Sequence, residues 1–66
     1  MLNVEPKYSI NNEVKLKNGS LVLITGIDQG KYGEFFYDYQ SELGVGRVSE
    51  DEISHVTKEN FYTQDA

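Results

Sequence analysis

His55 is the only histidine of this 66-residue chain, and the chain has no cysteine. A histidine can act in catalysis when a nucleophile or a second acid is held beside its ring. Ser54 is its sequence neighbour, but adjacent residues of a strand point to opposite faces, so we expect a surface or strand-edge histidine. The lack of cysteine excludes a thiol nucleophile, a thiolate zinc site and a disulfide framework. The sequence therefore predicts no catalytic residue and a protein that is not an enzyme.

Three segments carry residue types that bind phosphate or cations, but their spacing does not fit the known motifs. Residues 26–32 are glycine-rich, yet the two glycines are too close together for a phosphate loop and no Ser or Thr follows the lysine. Residues 38–43 alternate oxygen-bearing side chains, but leucine ends this segment where an EF-hand has its glycine. The acids at 50–52 are explained by the first turn of a helix. We expect no metal site and no cofactor.

The residues most typical of a contact surface are aromatic. Phe36 is an apolar ring on an otherwise polar strand face, and the chain has five tyrosines. Aromatic rings flanked by charge are typical of protein–protein contact patches. The predicted partner-binding residues are Tyr32, Glu34, Phe36 and Asp38. One alternative stays open, in which Phe36 packs under the terminal segments against Ile10 or Phe61.

A tight β-hairpin is the element best defined by the sequence. Asn18-Gly19 lies between two strand-like runs and predicts a two-residue type I′ turn, which needs positive φ at both central residues. The register implied by this turn alternates lysines with apolar residues. The apolar side chains it places on one face are Val14, Leu16, Leu21 and Leu23.

The elements after the hairpin are short. Residues 21–27 are apolar on both faces, with Gly26 at a bend. Residues 34–40 form an aromatic strand with alternating faces. The side chains that share its predicted buried face are Phe35, Tyr37 and Tyr39.

A single helical turn is predicted between the last two strands, residues 45–48 and 53–57. Ser49 is followed three residues later by Glu52, which is the pattern of a capping box. In a capping box, the serine side chain accepts a hydrogen bond from a backbone N–H of the first turn. Only about one helical turn fits before the last strand begins.

Together these elements predict an all-β fold, a small SH3-like barrel of about five short antiparallel strands. One domain spans residues 1–66, and its terminal segments, 1–12 and 58–66, are weakly patterned. Three segments of the chain resemble the small bacterial and phage SH3-like barrels, including the YodC-like and KOW-type groups: VKLKNGS at 14–20, VLITGI at 22–27 and VSEDEI at 48–53.

The resemblance covers residues 13–56 and implies a binding module. KOW-type members often contact nucleic acid or the transcription machinery. This chain departs from the nucleic-acid-binding members in its acidity, with a net charge of -5.

The charge is also unevenly distributed, since residues 34–66 carry eight acids against two basic residues. Phosphate binding needs a basic surface, so a nucleic-acid partner is disfavoured. A nucleic-acid module stays an alternative, and the basic residues available to it are Lys15, Lys17, Lys31 and Arg47. A further alternative is mimicry of a DNA backbone that would block a DNA-handling enzyme. The acidic surface it would use comprises Glu42, Glu50, Asp51 and Glu52.

The leading hypothesis is a non-enzymatic module that binds another protein. Its size and acidity are typical of phage- or mobile-element-encoded regulators and inhibitors. No apolar run approaches the roughly 20 residues of a membrane helix. The first residues lack the pattern of a signal peptide. We therefore expect a cytoplasmic protein without membrane contact, and the oligomeric state, a homodimer included, stays open.

Overall fold

One antiparallel sheet of five strands makes up the structure, a computed structural model that describes residues 5–59. β-Branched and aromatic residues are frequent in the strands, and turn residues separate them. The elements are β1 Glu13–Leu16, β2 Leu21–Gln29, β3 Phe35–Ser41, β4 Gly44–Ser49, the 3₁₀ turn Glu50–Glu52 and β5 Ile53–Lys58. The prediction of an all-β fold with a single helical turn before the last strand is confirmed.

The strands lie side by side in the order β4-β3-β2-β1-β5. β4 and β5 are the two edges, and within residues 5–59 they are not hydrogen-bonded to each other. The sheet is therefore open, and its closure into a barrel stays a prediction.

The β1–β2 hairpin forms where it is predicted, but its turn has three residues instead of two. The Gly19 N–H donates to the Leu16 carbonyl, and the Leu16 N–H donates to the Ser20 carbonyl, both at 2.8 Å. Gly19 has a φ of 96°, whereas Asn18 keeps a negative φ. This is a type I turn followed by a left-handed glycine, so the type I′ prediction is wrong.

The extra turn residue shifts the hairpin register by one place. Val14 lies opposite Val22, not opposite Leu23. A shift of one residue exchanges the two faces of a strand. Val22 and Ile24 therefore face the core, while Leu21 is 52% exposed and Leu23 is partly exposed. The prediction that Leu21 and Leu23 share a face with Val14 and Leu16 is wrong.

The bend in β2 lies where it is predicted, at Gly26. The pairing of β2 with β3 changes register between Ile24 and Gly26. Because of this bulge, Ile27 also packs against the core although it lies three residues after Ile24. A Cβ on Gly26 would lie 3.1 Å from a carboxylate oxygen of Asp38, so glycine leaves room for that side chain.

The core lies on one side of the sheet. Its buried side chains are Val14, Leu16, Val22, Ile24, Phe35, Tyr37, Val48 and Ile53. The predicted buried face of the aromatic strand is confirmed, since Phe35 and Tyr37 are 8% and 0% exposed and Tyr39 packs against the cluster. The Tyr8 ring meets the Tyr37 ring edge-on, with the ring centroids 5.5 Å apart.

The turn between β4 and β5 is helical but is not capped as predicted. Ser49 precedes the 3₁₀ turn in an extended conformation, and its side chain makes no capping hydrogen bond. The turn closes through the backbone, because the Ile53 N–H donates to the Glu50 carbonyl. A turn this short uses i to i+3 bonds and has little need of a side-chain cap. The capping-box prediction is wrong.

Residues 9–12, which are weakly patterned in sequence, attach to β2. The Asn11 N–H donates to the Ile24 carbonyl at 2.9 Å, and the Ile24 N–H donates to the Asn12 carbonyl at 3.0 Å. Asn11 has a φ of 77°, in the left-handed region that asparagine tolerates better than most residues. Residues 9–12 therefore have a fixed position against the centre of the sheet.

Candidate protein-binding site

The side of the sheet opposite the core carries Phe36. This outer face, followed along β3 from Phe36 to Gln40, comprises Asp28, Phe36, Ser49, Asp38, Arg47, Gln40, Leu23 and Val45. Phe36 is only partly buried and lies between strands that place Asp28 and Ser49 beside it. Ile10, one suggested packing partner, is 50% exposed, and Phe61 lies outside the described residues. The assignment of Phe36 to the face opposite Phe35 is confirmed.

Arg47 joins the middle of the outer face by ion pairs. Its Nε lies 2.8 Å from Asp38 Oδ1, and its Nη1 lies 3.3 Å from Asp28 Oδ2. The hydrogen bond to Asp38 is the largest cause of a raised Arg47 pKa. All three side chains are about half exposed, so the pairs add little stability. The ion pair with Arg47 does fix the orientation of the Asp38 carboxylate.

The loop before β3 holds Tyr32 in solvent, with the side chain 86% exposed. The Glu34 carboxylate accepts a hydrogen bond from the Tyr32 N–H at 2.9 Å, and the Glu34 carbonyl accepts one from the Gly30 N–H at 2.7 Å. A Cβ on Gly30 would collide with the Glu34 carboxylate. Lys31 lies beside the ring, its Nζ 6.0 Å from the centroid. Glu34 thus shapes the loop, and Tyr32 is the ring that the loop presents.

An apolar surface lies at the opposite end of β3, beside the β3–β4 turn. Leu43 is 97% exposed and Val45 83%, and Leu21 is exposed on β2. Leu21, Leu23 and Leu43 line an open groove of about 750 Å³, and Val45 adjoins it beside Gln40. We call these four residues, Leu21, Leu23, Leu43 and Val45, the apolar end. Contiguous exposed apolar residues mark interaction sites more often than scattered ones do.

The sequence prediction missed the apolar end because it assumed a two-residue hairpin turn. That register placed Leu21 and Leu23 on the same face as Val14 and Leu16. The apolar alternation of Val22 and Ile24 offered an equally good core face and was the signal that could have revealed the surface.

The predicted acidic surface is divided between the two ends of β4. Glu42 lies in the turn before β4, whereas the acids at 50–52 form the 3₁₀ turn after it. The six residues of β4 separate the two groups by roughly 20 Å. They flank an edge strand and do not form one continuous acidic patch.

Glu50 connects the 3₁₀ turn to the core and to the N-terminal segment. Its Oε2 accepts hydrogen bonds from the Tyr37 hydroxyl at 2.6 Å and from the Lys7 N–H at 3.0 Å. Partial burial acts to raise the pKa of Glu50, but these hydrogen bonds and the Lys7 charge outweigh it and lower the pKa. Burial, followed by the contact with Glu50, raises the pKa of Tyr37. The Glu50 carboxylate is thus engaged in the fold.

The four basic residues of the nucleic-acid alternative are not brought together. Lys15 lies on β1 opposite His55 of β5, and Lys17 follows it into the turn. Arg47 is on β4, which β3 and β2 separate from β1, and it is already paired with two aspartates. Lys31 lies in the loop before β3. The structure therefore assigns these residues to different parts of the surface.

Ser54 and His55 are closer than the sequence predicts. Ser54 Oγ lies 2.9 Å from His55 Nδ1, and both residues are exposed. β5 pairs Lys15 with His55 but Leu16 with Ile53, so Ser54 is an extra residue in a bulge. A bulge redirects a side chain, which explains why these neighbours do not point to opposite faces. His55 is a surface histidine on an edge strand, as predicted.

Within the described residues 5–59, no three acidic, histidine or cysteine side chains are grouped so that they could hold a metal ion. The same part of the chain contains no helix long and apolar enough to cross a membrane.

No family model, curated protein or solved structure matches this chain.

Proposed function

We propose that this chain is a non-enzymatic protein-binding module that contacts its partner through the outer face of the sheet. The observation that carries this proposal is the apolar end, where Leu43 and Val45 are 97% and 83% exposed beside an open groove. Exposing such side chains without a partner is unfavourable, because burying apolar surface stabilises by roughly 25 cal/mol per Å². A partner that covers the apolar end recovers that free energy.

The residues predicted from the sequence fit the same surface in different roles. Phe36 and Asp38 lie on the outer face, and Tyr32 projects from the loop near the Phe36 end of β3. Asp38 and Glu34 hold neighbouring groups of this chain. In the proposal, Tyr32 and Phe36 supply aromatic contact and the two acids supply shape and negative potential.

A regulator or inhibitor that acts by contact fits this description. The order of hairpins, with one helical turn before the last strand, supports an SH3-like fold as the frame of the module. The uneven charge of the chain supports a partner with a basic surface, because complementary charge accelerates association.

Affinity capture tests the proposal. The tagged protein is used to capture partners from a nuclease-treated lysate of its native host, and the captured protein is then purified and titrated. The double variant Leu43→Ser/Val45→Thr should weaken this binding by about 2 kcal/mol or more, as the loss of a hot spot does. Ile10→Ser is the matched control, since it removes a half-exposed apolar side chain from the segment before β1.

Equal affinity of the double variant and the parent would exclude the apolar end from the interface. A partner that is captured from an untreated lysate but not from the nuclease-treated one would favour the nucleic-acid alternative. Capture competed away by DNA would favour the mimic. Tyr32→Ser, measured in the same way, determines whether the loop contributes to the interface.

A further inference from the structure

The two edges of the sheet differ in how well they could accept another strand. β5 pairs with β1 with two register irregularities, and it exposes the polar side chains of Ser54, His55 and Thr57. β-Bulges are among the usual means by which proteins block an edge. β4 pairs with β3 in a continuous register from Gly44 to Ser49, with no irregularity. β4 is therefore the more regular edge.

The backbone of β4 can form hydrogen bonds on its free side. In an antiparallel pair, alternate residues direct their N–H and C=O groups away from the neighbouring strand. Among residues 5–59, β3 is the only strand bonded to β4, and no other backbone hydrogen bond reaches residues 44–49. The outward groups are therefore available to a further strand.

The side chains of β4 do little to obstruct such a strand. The strand has no proline and no lysine, which are the residues that most often protect an edge. Its one charged side chain, Arg47, is held over the outer face by Asp38 and Asp28. The Tyr39 ring occupies the space beside Gly46, so the core side is closed at that point. Val45 is left as the exposed apolar side chain of the edge.

We propose that β4 accepts an extended segment of a partner protein as a sixth strand of the sheet. This inference rests on the proposed function and identifies the form in which the partner binds. Strand addition takes its affinity from main-chain hydrogen bonds and its specificity from alternate side chains. The apolar end selects apolar side chains in the middle of the incoming segment.

The acids at the two ends of β4 determine which charges the ends of the incoming segment should carry. Glu42 precedes β4 and the acids at 50–52 follow it, so both ends of the edge are negative. A segment with basic residues at both ends and apolar residues between them complements this pattern. A second copy of the chain would bring the same acids and a net charge of -5, so repulsion disfavours it.

A synthetic peptide tests the inference directly. The probe is Lys-Lys-Val-Thr-Val-Thr-Val-Lys-Lys, titrated into the isotope-labelled full chain and followed by NMR. Its control has the same side chains, but alternate backbone nitrogens are methylated. Methylation removes main-chain hydrogen bonds from one side of the peptide and should weaken binding by about tenfold or more. The amide signals of residues 43–49 should shift and their hydrogen exchange should slow.

Variants at the two edges supply matched controls. Val45→Lys should weaken peptide binding by about tenfold, because it replaces the apolar contact with a like charge. His55→Lys places the same side chain on the other edge and should leave the affinity unchanged. A peptide with glutamates in place of the lysines should bind more weakly. Added salt should lower the affinity of the basic peptide.

Several results would overturn strand addition. They are equal affinity of the methylated and unmethylated peptides, no binding of the basic peptide, and shifts confined to the Tyr32 loop or to β5. A concentration-dependent dimer joined at β4 would overturn the assignment to a basic partner segment. If binding of the captured partner still requires Leu43 and Val45, the proposed function survives each of these results. If no partner requires these two residues for binding, the proposed function fails, whether or not the peptide binds.

Discussion

At the scale of single residues, the contact between Tyr37 and Glu50 connects the core to the surface. Tyr37 is fully buried, and its hydroxyl donates to the Glu50 carboxylate at 2.6 Å. The same carboxylate accepts the Lys7 N–H, so one side chain holds the 3₁₀ turn, β3 and the N-terminal segment together. A hydrogen bond to a charged acceptor contributes more than a neutral one.

The lowered pKa of Glu50 predicts a pH dependence of stability. A carboxyl whose pKa is lower in the folded state stabilises the fold above its unfolded pKa, and this stability is lost as the pH falls through the folded pKa. The parent should therefore lose stability progressively below about pH 5. Glu50→Gln should lose about 1 kcal/mol at neutral pH and should show a smaller decrease in acid. The measurement is a series of thermal melts across pH.

Glu42→Gln is the matched control, because it removes an exposed carboxylate that lies in the β3–β4 turn. It should keep the acid-dependent loss of the parent. Equal pH curves for Glu50→Gln and the parent would show that Glu50 does not link protonation to folding.

The two adjacent phenylalanines of β3 should respond differently to truncation. Phe35 is 8% exposed in the core, so Phe35→Ala should destabilise by about 3–5 kcal/mol. Phe36 is partly exposed on the outer face, so Phe36→Ala should cost less than about 2 kcal/mol. Denaturant unfolding of the two variants measures the difference. A larger loss for Phe36→Ala would reverse the assignment of the two faces.

At the scale of elements, the β1–β2 hairpin depends on one backbone conformation. Gly19 closes the three-residue turn with a φ of 96°. A side chain there would meet no atom within 4 Å, so any cost of substitution arises from the backbone. β-Branched residues are strained at positive φ, whereas asparagine tolerates it better.

Gly19→Val should therefore destabilise the protein by roughly 1–2 kcal/mol or more. Gly19→Asn should destabilise it by clearly less, and it serves as the control because it adds a side chain without β-branching. Thermal melts of both variants decide the question. If the two variants melt at the same temperature as the parent, the left-handed turn is wrong.

The sequence predicted the elements well because local chemistry determines them. Asn18-Gly19 placed the hairpin turn, Gly26 the bend, and the alternation of Phe35 and Tyr37 the buried face of β3. The hairpin register was predicted wrongly because both faces of β2 are apolar, so Leu23 and Val22 were equally good core residues. The capping box matched in sequence, but a 3₁₀ turn closed by its own backbone does not use the Ser49 side chain.

The candidate site was predicted only in part, for the same physical reason. The position of Phe36 on the outer face follows from the alternation of side chains within one strand, so it could be predicted from the sequence. The apolar end depends on how β2, β3 and β4 pair, which places Leu23 and Val45 on either side of Gln40. Pairing between strands is a long-range property that local patterns do not determine.

At the scale of the whole molecule, the open sheet has a core on one side only and two edges that differ from each other. The core occupies one side, and the outer face presents aromatic, charged and apolar zones in succession along β3. The β5 edge is irregular in register and polar, whereas the β4 edge is regular, partly apolar and flanked by acids. This asymmetry predicts one preferred side for a partner.

Hydrogen exchange of the complex shows which edge of the sheet the partner covers. The full chain is bound to its captured partner, and the exchange of each backbone amide is compared with that of the free chain. Binding at β4 should slow exchange on the order of tenfold or more at residues 43–47, with a smaller effect at residues 21–23. Slowing confined to residues 13–17 and 53–58, the other edge of the sheet, would contradict it.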